Sequence, residues 1–182
     1  MKNKAIFLDR DGVLNECMTD KVRFVNQPSD LFLLPGTAQA IKIFKEQDYK
    51  VYIVTNQGGI GLGYMTTDAL NQIHEKLKKD LLKEEPFASI DEISTCIHSP
   101  KENCICRKPE PGLIINLANT NNIDLSNSYM VGDRETDIES GQRAGTKTIL
   151  ISNYQSETKA DKVFPNLLDF AIHLQKMRLI SN

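Results

Sequence analysis

Short apolar runs alternate along this chain with stretches of helical period, and that alternation narrows its choice of fold more than any other feature. Ala5–Leu8, Val51–Thr55, Tyr129–Val131 and Thr148–Ile151 read as buried strands rich in β-branched and aromatic residues, with Ile90–Ile97 a weaker candidate. Thr37–Gln47, Thr67–Leu82, Pro111–Thr120 and Thr136–Ala144 read as intervening helices, and Pro165–Met177 as a last one. In the second helix Leu70, Ile73, Leu77 and Leu81 recur on one face. Such alternation predicts an α/β fold: a Rossmann-like parallel sheet flanked by helices, with ligands taken at the carboxyl ends of the strands. No repeat, low-complexity segment or linker divides the chain, so one domain over residues 1–182 is expected.

Composition removes several function classes. A net charge of −2 leaves no basic footprint for nucleic acid or an anionic membrane surface. No apolar run approaches the roughly 18 residues of a membrane span. Met-Lys-Asn-Lys leads into too few apolar residues for a signal peptide. A cytoplasmic monomer acting on a small molecule is the expectation. In a reducing compartment, clustered thiols more often mean metal than disulfide.

The chemistry is written at the strand ends. "FLDRDGVLNE" puts Asp9 and Asp11 immediately after the first apolar run, with Gly12 to turn the backbone away. Period-2 geometry sends the two carboxylates in the same general direction if the strand's extension continues. Two carboxylates at one crevice repel each other unless a cation or a shared proton relieves them, and magnesium with a phosphate substrate is one solution. A strand followed by a plain Asp-Gly turn is the other reading of this stretch. The second strand ends in "VTNQGGIGLG", where Thr55 and Asn56 precede four glycines within six residues. A hydroxyl and successive backbone N–H groups there can cradle a phosphate. "CRKPEPG" sets Arg107 and Lys108 before a helix, and "VGDRETDIESG" carries Asp133, Arg134 and Asp137 after a strand. Singly, these are a solvated cation and a helix cap. Asp-x-Asp, Thr-Asn, Lys and Gly-Asp-x-x-x-Asp in that order are harder to dismiss together.

These four elements, spread from about Ala5 to Ile151, resemble the phosphatase branch of the haloacid dehalogenase (HAD) superfamily. The resemblance implies that Asp9 is the nucleophile and forms an aspartyl-phosphate. It implies that Asp11 protonates the leaving alkoxide and then deprotonates the attacking water. Thr55 and Lys108 would bind the non-transferring phosphoryl oxygens. Asp9, the backbone carbonyl of Asp11, and Asp133 would hold Mg2+. Asp137 would orient Lys108 or the metal's water shell. Asn56, Arg107 and Arg134 are the expected substrate contacts.

"CIHSPKENCICRKP" adds Cys96, His98, Cys104 and Cys106, three thiols and an imidazole that suit a closed tetrahedral Zn2+ site. A disulfide from Cys96 to a later cysteine and plain buried thiols are the alternatives. Zinc here would fix the loop that aims Arg107 and Lys108. Cys17 is left as a partly buried thiol, and His74 and His173 read as solvated or packed. The zinc loop narrows the resemblance to phosphatases of heptose 1,7-bisphosphate and of histidinol phosphate. In the glycine loop Leu62 stands where the heptose group often has arginine. About 46 positions separate Asp9 from Thr55 and about 53 separate Thr55 from Lys108, leaving no room for a large cap domain. A non-catalytic phosphosugar-binding protein and a nucleic-acid 3′-phosphatase are the other classes. An intact nucleophile argues against the first, and the balanced charge against the second.

Overall fold

A computed structural model describes residues 2–154 and 157–181. The strands are β1 (Lys4–Leu8), β2 (Tyr49–Asn56), β3 (Glu92–Cys96), β4 (Tyr129–Gly132), β5 (Lys147–Ile151) and β6 (Lys162–Phe164). The helices are α1 (Thr37–Glu46), α2 (Thr67–Glu84), α3 (Gly112–Asn121), α4 (Glu135–Ala144) and α5 (Leu167–Ser181). All strand pairs are parallel, in the order β3-β2-β1-β4-β5-β6. The order reverses beside β1, so the crevice of the sheet opens at the carboxyl ends of β1 and β4.

Strand period divides the core in two. Ile6 and Leu8 of β1, Val51 and Ile53 of β2, and Val131 of β4 point to one face, against α1, α2 and α5. Ala5, Phe7, Tyr52, Val54 and Met130 point to the other, against α3 and the end of α4. β1 is buried on both faces, which is why it reads as an unbroken apolar run. The four leucine and isoleucine positions foreseen on α2 are its buried residues. Each such side chain removed from water contributes roughly 1.5–3 kcal/mol. Thr66 caps α2 by accepting from the Ala69 N–H at 3.1 Å.

Element types agree with the sequence reading, and the differences lie at ends. β2 begins at Tyr49 rather than Val51, and α5 begins at Leu167 and runs past Met177. β6 was not foreseen: three residues at a sheet edge show too little period to register. Among the described residues no helix is long and apolar enough to cross a membrane.

Candidate active site

Asp9 is the first residue beyond β1, and its N–H still donates to the Val131 carbonyl at 2.9 Å, so the ladder with β4 carries it to the rim. Asp133 follows β4, and Asp137 lies in the first turn of α4. Lys108 reaches all of this from a loop. Its ammonium donates to Asp9 Oδ1 at 2.8 Å, to Asp137 Oδ1 at 2.7 Å and to the Val54 carbonyl at 2.8 Å. Asp137 is fixed from both sides, since its Oδ2 also accepts the Arg134 N–H at 3.1 Å. Two glycines make the room. A Cβ on Gly12, at φ +84°, would lie 2.3 Å from Asp133 Oδ2, and one on Gly132 would lie 2.1 Å from Asp137 Cβ.

Carboxylate oxygens of Asp9, Asp133 and Asp137 lie within 4.8 Å of one another, three acids against one ammonium. Burial, with the charges of Asp137 and Asp11 added and Lys108 opposing, pushes Asp9 up to about 7. Burial and then Asp137 push Asp133 up to about 6. Burial pulls Lys108 down, but Asp9 and Asp137 outweigh it and hold the ammonium charged. Asp133 Oδ1 is buried with no hydrogen-bond partner. Surplus negative charge, oxygen donors and an unpartnered carboxylate oxygen are what a hard divalent cation such as Mg2+ takes.

Asp11 faces the same cleft but has different partners. Its oxygens accept from Arg10 Nε at 3.0 Å and Nη2 at 2.8 and 2.9 Å, from Asn15 Nδ2 at 2.9 Å and from Gln57 Nε2 at 3.1 Å. Burial works to raise its carboxyl, yet the Arg10 charge and these bonds hold it below the ordinary carboxylate range. Gln57 also donates to Thr55 Oγ1 at 2.9 Å, linking the two motif residues. Arg10, Asn15 and Gln57 were not singled out from the sequence, although each lies inside a stretch that was. Asn56 lines the cleft and also braces Lys108. Its Oδ1 accepts the Lys108 N–H and its Nδ2 donates to the Lys108 carbonyl, both at 3.1 Å.

The cleft has a volume of about 1000 Å3. Asp9, Asp11, Thr55 and Lys108 line its floor, with Arg107 and Arg134 at its sides. Phe24, Leu62 and Tyr64, all exposed, stand at its mouth. Arg107 Nη1 donates to the His98 carbonyl at 3.3 Å. Arg134 is exposed, with Nε 3.9 Å from Asp133 Oδ2. Cys17 also lines the cleft and is partly buried, as foreseen.

The second cluster lies one loop away. Cys96 ends β3 with its side chain buried, and Cys104 and Cys106 approach it from the following loop. His98 Nδ1 is 3.4 Å from Cys96 Sγ and 3.2 Å from Cys106 Sγ, while the Sγ atoms of Cys96 and Cys106 are 3.7 and 3.6 Å from that of Cys104. A tetrahedron with metal–sulfur bonds of about 2.3 Å has edges of roughly 3.8 Å. The observed Sγ–Sγ separations exceed the roughly 2.05 Å of a disulfide, so the three cysteines are free thiols, as is Cys17. His173 contacts Lys162 and the Phe164 ring instead, and His74 lies partly buried on α2.

A family model described as HAD-hydrolase-like matches residues 105–170. The D-glycero-beta-D-manno-heptose-1,7-bisphosphate 7-phosphatase of Helicobacter pylori is 42% identical over 82% of this chain and 83% of its own length. That of Haemophilus ducreyi is 35% identical over 93% of this chain and 97% of its own. Among solved structures, the D,D-heptose 1,7-bisphosphate phosphatase of Bordetella bronchiseptica, complexed with magnesium and phosphate, superposes with a TM-score of 0.83 at 32% identity. The match covers 96% of this chain and 99% of that one.

Proposed function

This chain belongs to the HAD-like phosphatases and is a phosphomonoester hydrolase, and on that premise we propose that it removes the 7-phosphate of a D-glycero-D-manno-heptose 1,7-bisphosphate. The observation that carries the chemistry is Asp9, a buried carboxylate at a strand end, gripped by Lys108 and facing an open cleft.

Asp9 attacks phosphorus in line, the P–O bond to the sugar breaks, and an aspartyl-phosphate forms. Asp11, ionised in the free protein by its Arg10 pair, takes the proton of the substrate's phosphate monoanion, gives it to the leaving alkoxide, and later takes one from the water that hydrolyses the intermediate. Lys108 aims the nucleophile and brings positive charge beside the non-transferring oxygens, with the Thr55 hydroxyl on the other side. Asp137 and Asn56 act through Lys108, one on its ammonium and the other on its backbone. Asp9, Asp133 and the carbonyl of Asp11 are the groups to hold Mg2+, which when bound offsets charge on nucleophile and phosphate alike. Cys96, His98, Cys104 and Cys106 would hold Zn2+, which would fix the loop from which Arg107 and Lys108 reach the cleft. Arg107 and Arg134 take the substrate's second phosphate, for which the arginine fork is suited.

A turnover screen with Mg2+ over sugar mono- and bisphosphates and histidinol phosphate tests this. Fastest turnover of the heptose bisphosphate is expected. Faster turnover of histidinol phosphate gives the function to that activity, which the short zinc-loop gap and "GDRETDI" favour. No turnover of any phosphomonoester supports a binding protein instead.

A further inference from the structure

Gln57 is the first residue after β2 and is buried. Its N–H donates to the Cys96 carbonyl, at the end of β3, over 2.7 Å, which fixes where the side chain starts. That side chain meets three groups. Its Oε1 accepts from Arg10 Nη2 at 3.2 Å, while its Nε2 donates to Asp11 Oδ2 at 3.1 Å and to Thr55 Oγ1 at 2.9 Å. Two of these decide which way the amide faces. A guanidinium only donates and a carboxylate only accepts, so turning the amide over would set its NH2 against Arg10 and its oxygen against Asp11. Both hydrogens on Nε2 are therefore committed, one to Asp11 and one to Thr55. A hydroxyl that accepts in this way keeps one hydrogen of its own to place. Among the described residues the Thr55 side chain has no other hydrogen-bond partner, and it lines the floor of the cleft.

We propose that Gln57 is a positioning residue that sets the polarity of the Thr55 hydroxyl: by donating to Oγ1 it leaves the hydroxyl hydrogen for a phosphoryl oxygen in the cleft. A free threonine hydroxyl can turn either its hydrogen or a lone pair toward an anion, and only the hydrogen attracts. The order begins at Arg10, which holds the amide oxygen, passes through Gln57, and ends where charge develops during transfer. A donor already aimed there needs no reorientation when the reaction occurs. The same amide ties the direction of that donor to the seat of Asp11, so the two motif residues are set by one buried side chain. The inference rests on Thr55 binding a phosphoryl oxygen.

The test is a double-mutant cycle between Gln57→Met and Thr55→Val, read as kcat/KM for 4-nitrophenyl phosphate with Mg2+. That leaving group needs no proton, and the ratio ends at its departure, so proton transfer through Asp11 does not enter. Thr55→Val removes a charge-assisted bond and should cost about ten- to a hundredfold. A hydroxyl released from Gln57 has three staggered positions, of which one serves the phosphate, so Gln57→Met should cost about three- to tenfold in the parent. In the Thr55→Val background there is no hydroxyl to turn, and the same change should cost less than about 1.5-fold. Gln57→Glu keeps the size and the Arg10 contact but offers Thr55 an acceptor, and should cost at least as much as Gln57→Met. Gln57→Ala takes the place of Gln57→Met in the cycle if that variant does not fold. Equal losses from the Gln57 change in both backgrounds, no loss in the parent, or a Glu variant as active as the parent overturns the proposal. If Thr55→Val itself costs nothing, the phosphoryl role of Thr55 falls and this inference falls with it. If Thr55→Val is costly and the cycle is additive, only the inference is lost.

Discussion

Two clusters of side chains that could hold a metal ion lie near Lys108, and they solve opposite problems. Asp9, Asp133 and Asp137 gather oxygen donors at a cleft floor, with more negative charge than Lys108 balances. Cys96, His98, Cys104 and Cys106 gather soft donors at near-tetrahedral spacing, with no position left over for a substrate. The first cluster carries surplus charge that a cation and a phosphate would relieve; the second would be closed by one metal ion and would hold a loop. The difference teaches that proximity to the chemistry does not by itself make a metal site catalytic. Ligand type and closure do.

Breaking the oxygen cluster should hurt most. Asp9→Asn keeps the shape but removes the nucleophile, and a loss in kcat of at least about a thousandfold is expected with the fold intact. Steady-state kinetics alongside circular dichroism checks it, and near-parental activity in rigorously purified variant sinks the covalent mechanism. Breaking the sulfur cluster should instead be felt as stability. Cys106→Ser opens a closed ligand set, and loss of about 3 kcal/mol lowers the Tm of a chain this size by roughly 6–12 °C, with zinc content falling in step. Elemental analysis and calorimetry read both, and Mg2+ remains necessary for turnover of the zinc-loaded protein.

Arg107 joins the regions, since it follows the last cysteine and lines the cleft. Arg107→Ala should lower kcat/KM for the bisphosphate about ten- to a hundredfold more than for a matched monophosphate, the worth of one charge-assisted phosphate contact. Equal losses would assign Arg107 to bracing the loop through the His98 carbonyl. The smallest effect is on pH dependence. Asp9 and Asp133 bind protons more tightly folded than unfolded, so their share of stability, full below the unfolded carboxyl value of 3.8, falls as pH rises through about 6 and about 7. Melting curves in chelator should show that decline, and saturating Mg2+ should flatten it.

The floor of the site was legible because each of its acids is encoded locally. A strand period delivers Asp9 to the rim, a second strand delivers Asp133, and glycines beside them mark where backbone must make room. The cross-chain bonds were not legible. Asn56 lines the cleft, and its amide also closes on the backbone of Lys108, 52 positions away, a pairing no local pattern encodes. Arg10 sits between two motif aspartates, which makes it look like a solvated charge; only burial under the loop that brings Gln57 identifies it as the grip on Asp11. β6 escaped for a simpler reason, being too short to carry a period.

The central claim is that Asp9 becomes covalently phosphorylated, and the stereochemistry at phosphorus tests it most directly. A thiophosphate monoester made chiral at phosphorus with oxygen isotopes would be hydrolysed in isotopically labelled water, and the configuration of the thiophosphate product determined. Each in-line displacement inverts phosphorus, so transfer to Asp9 and then to water predicts net retention. Net inversion would mean a single direct attack by water, with Asp9 never a nucleophile, and would contradict the account.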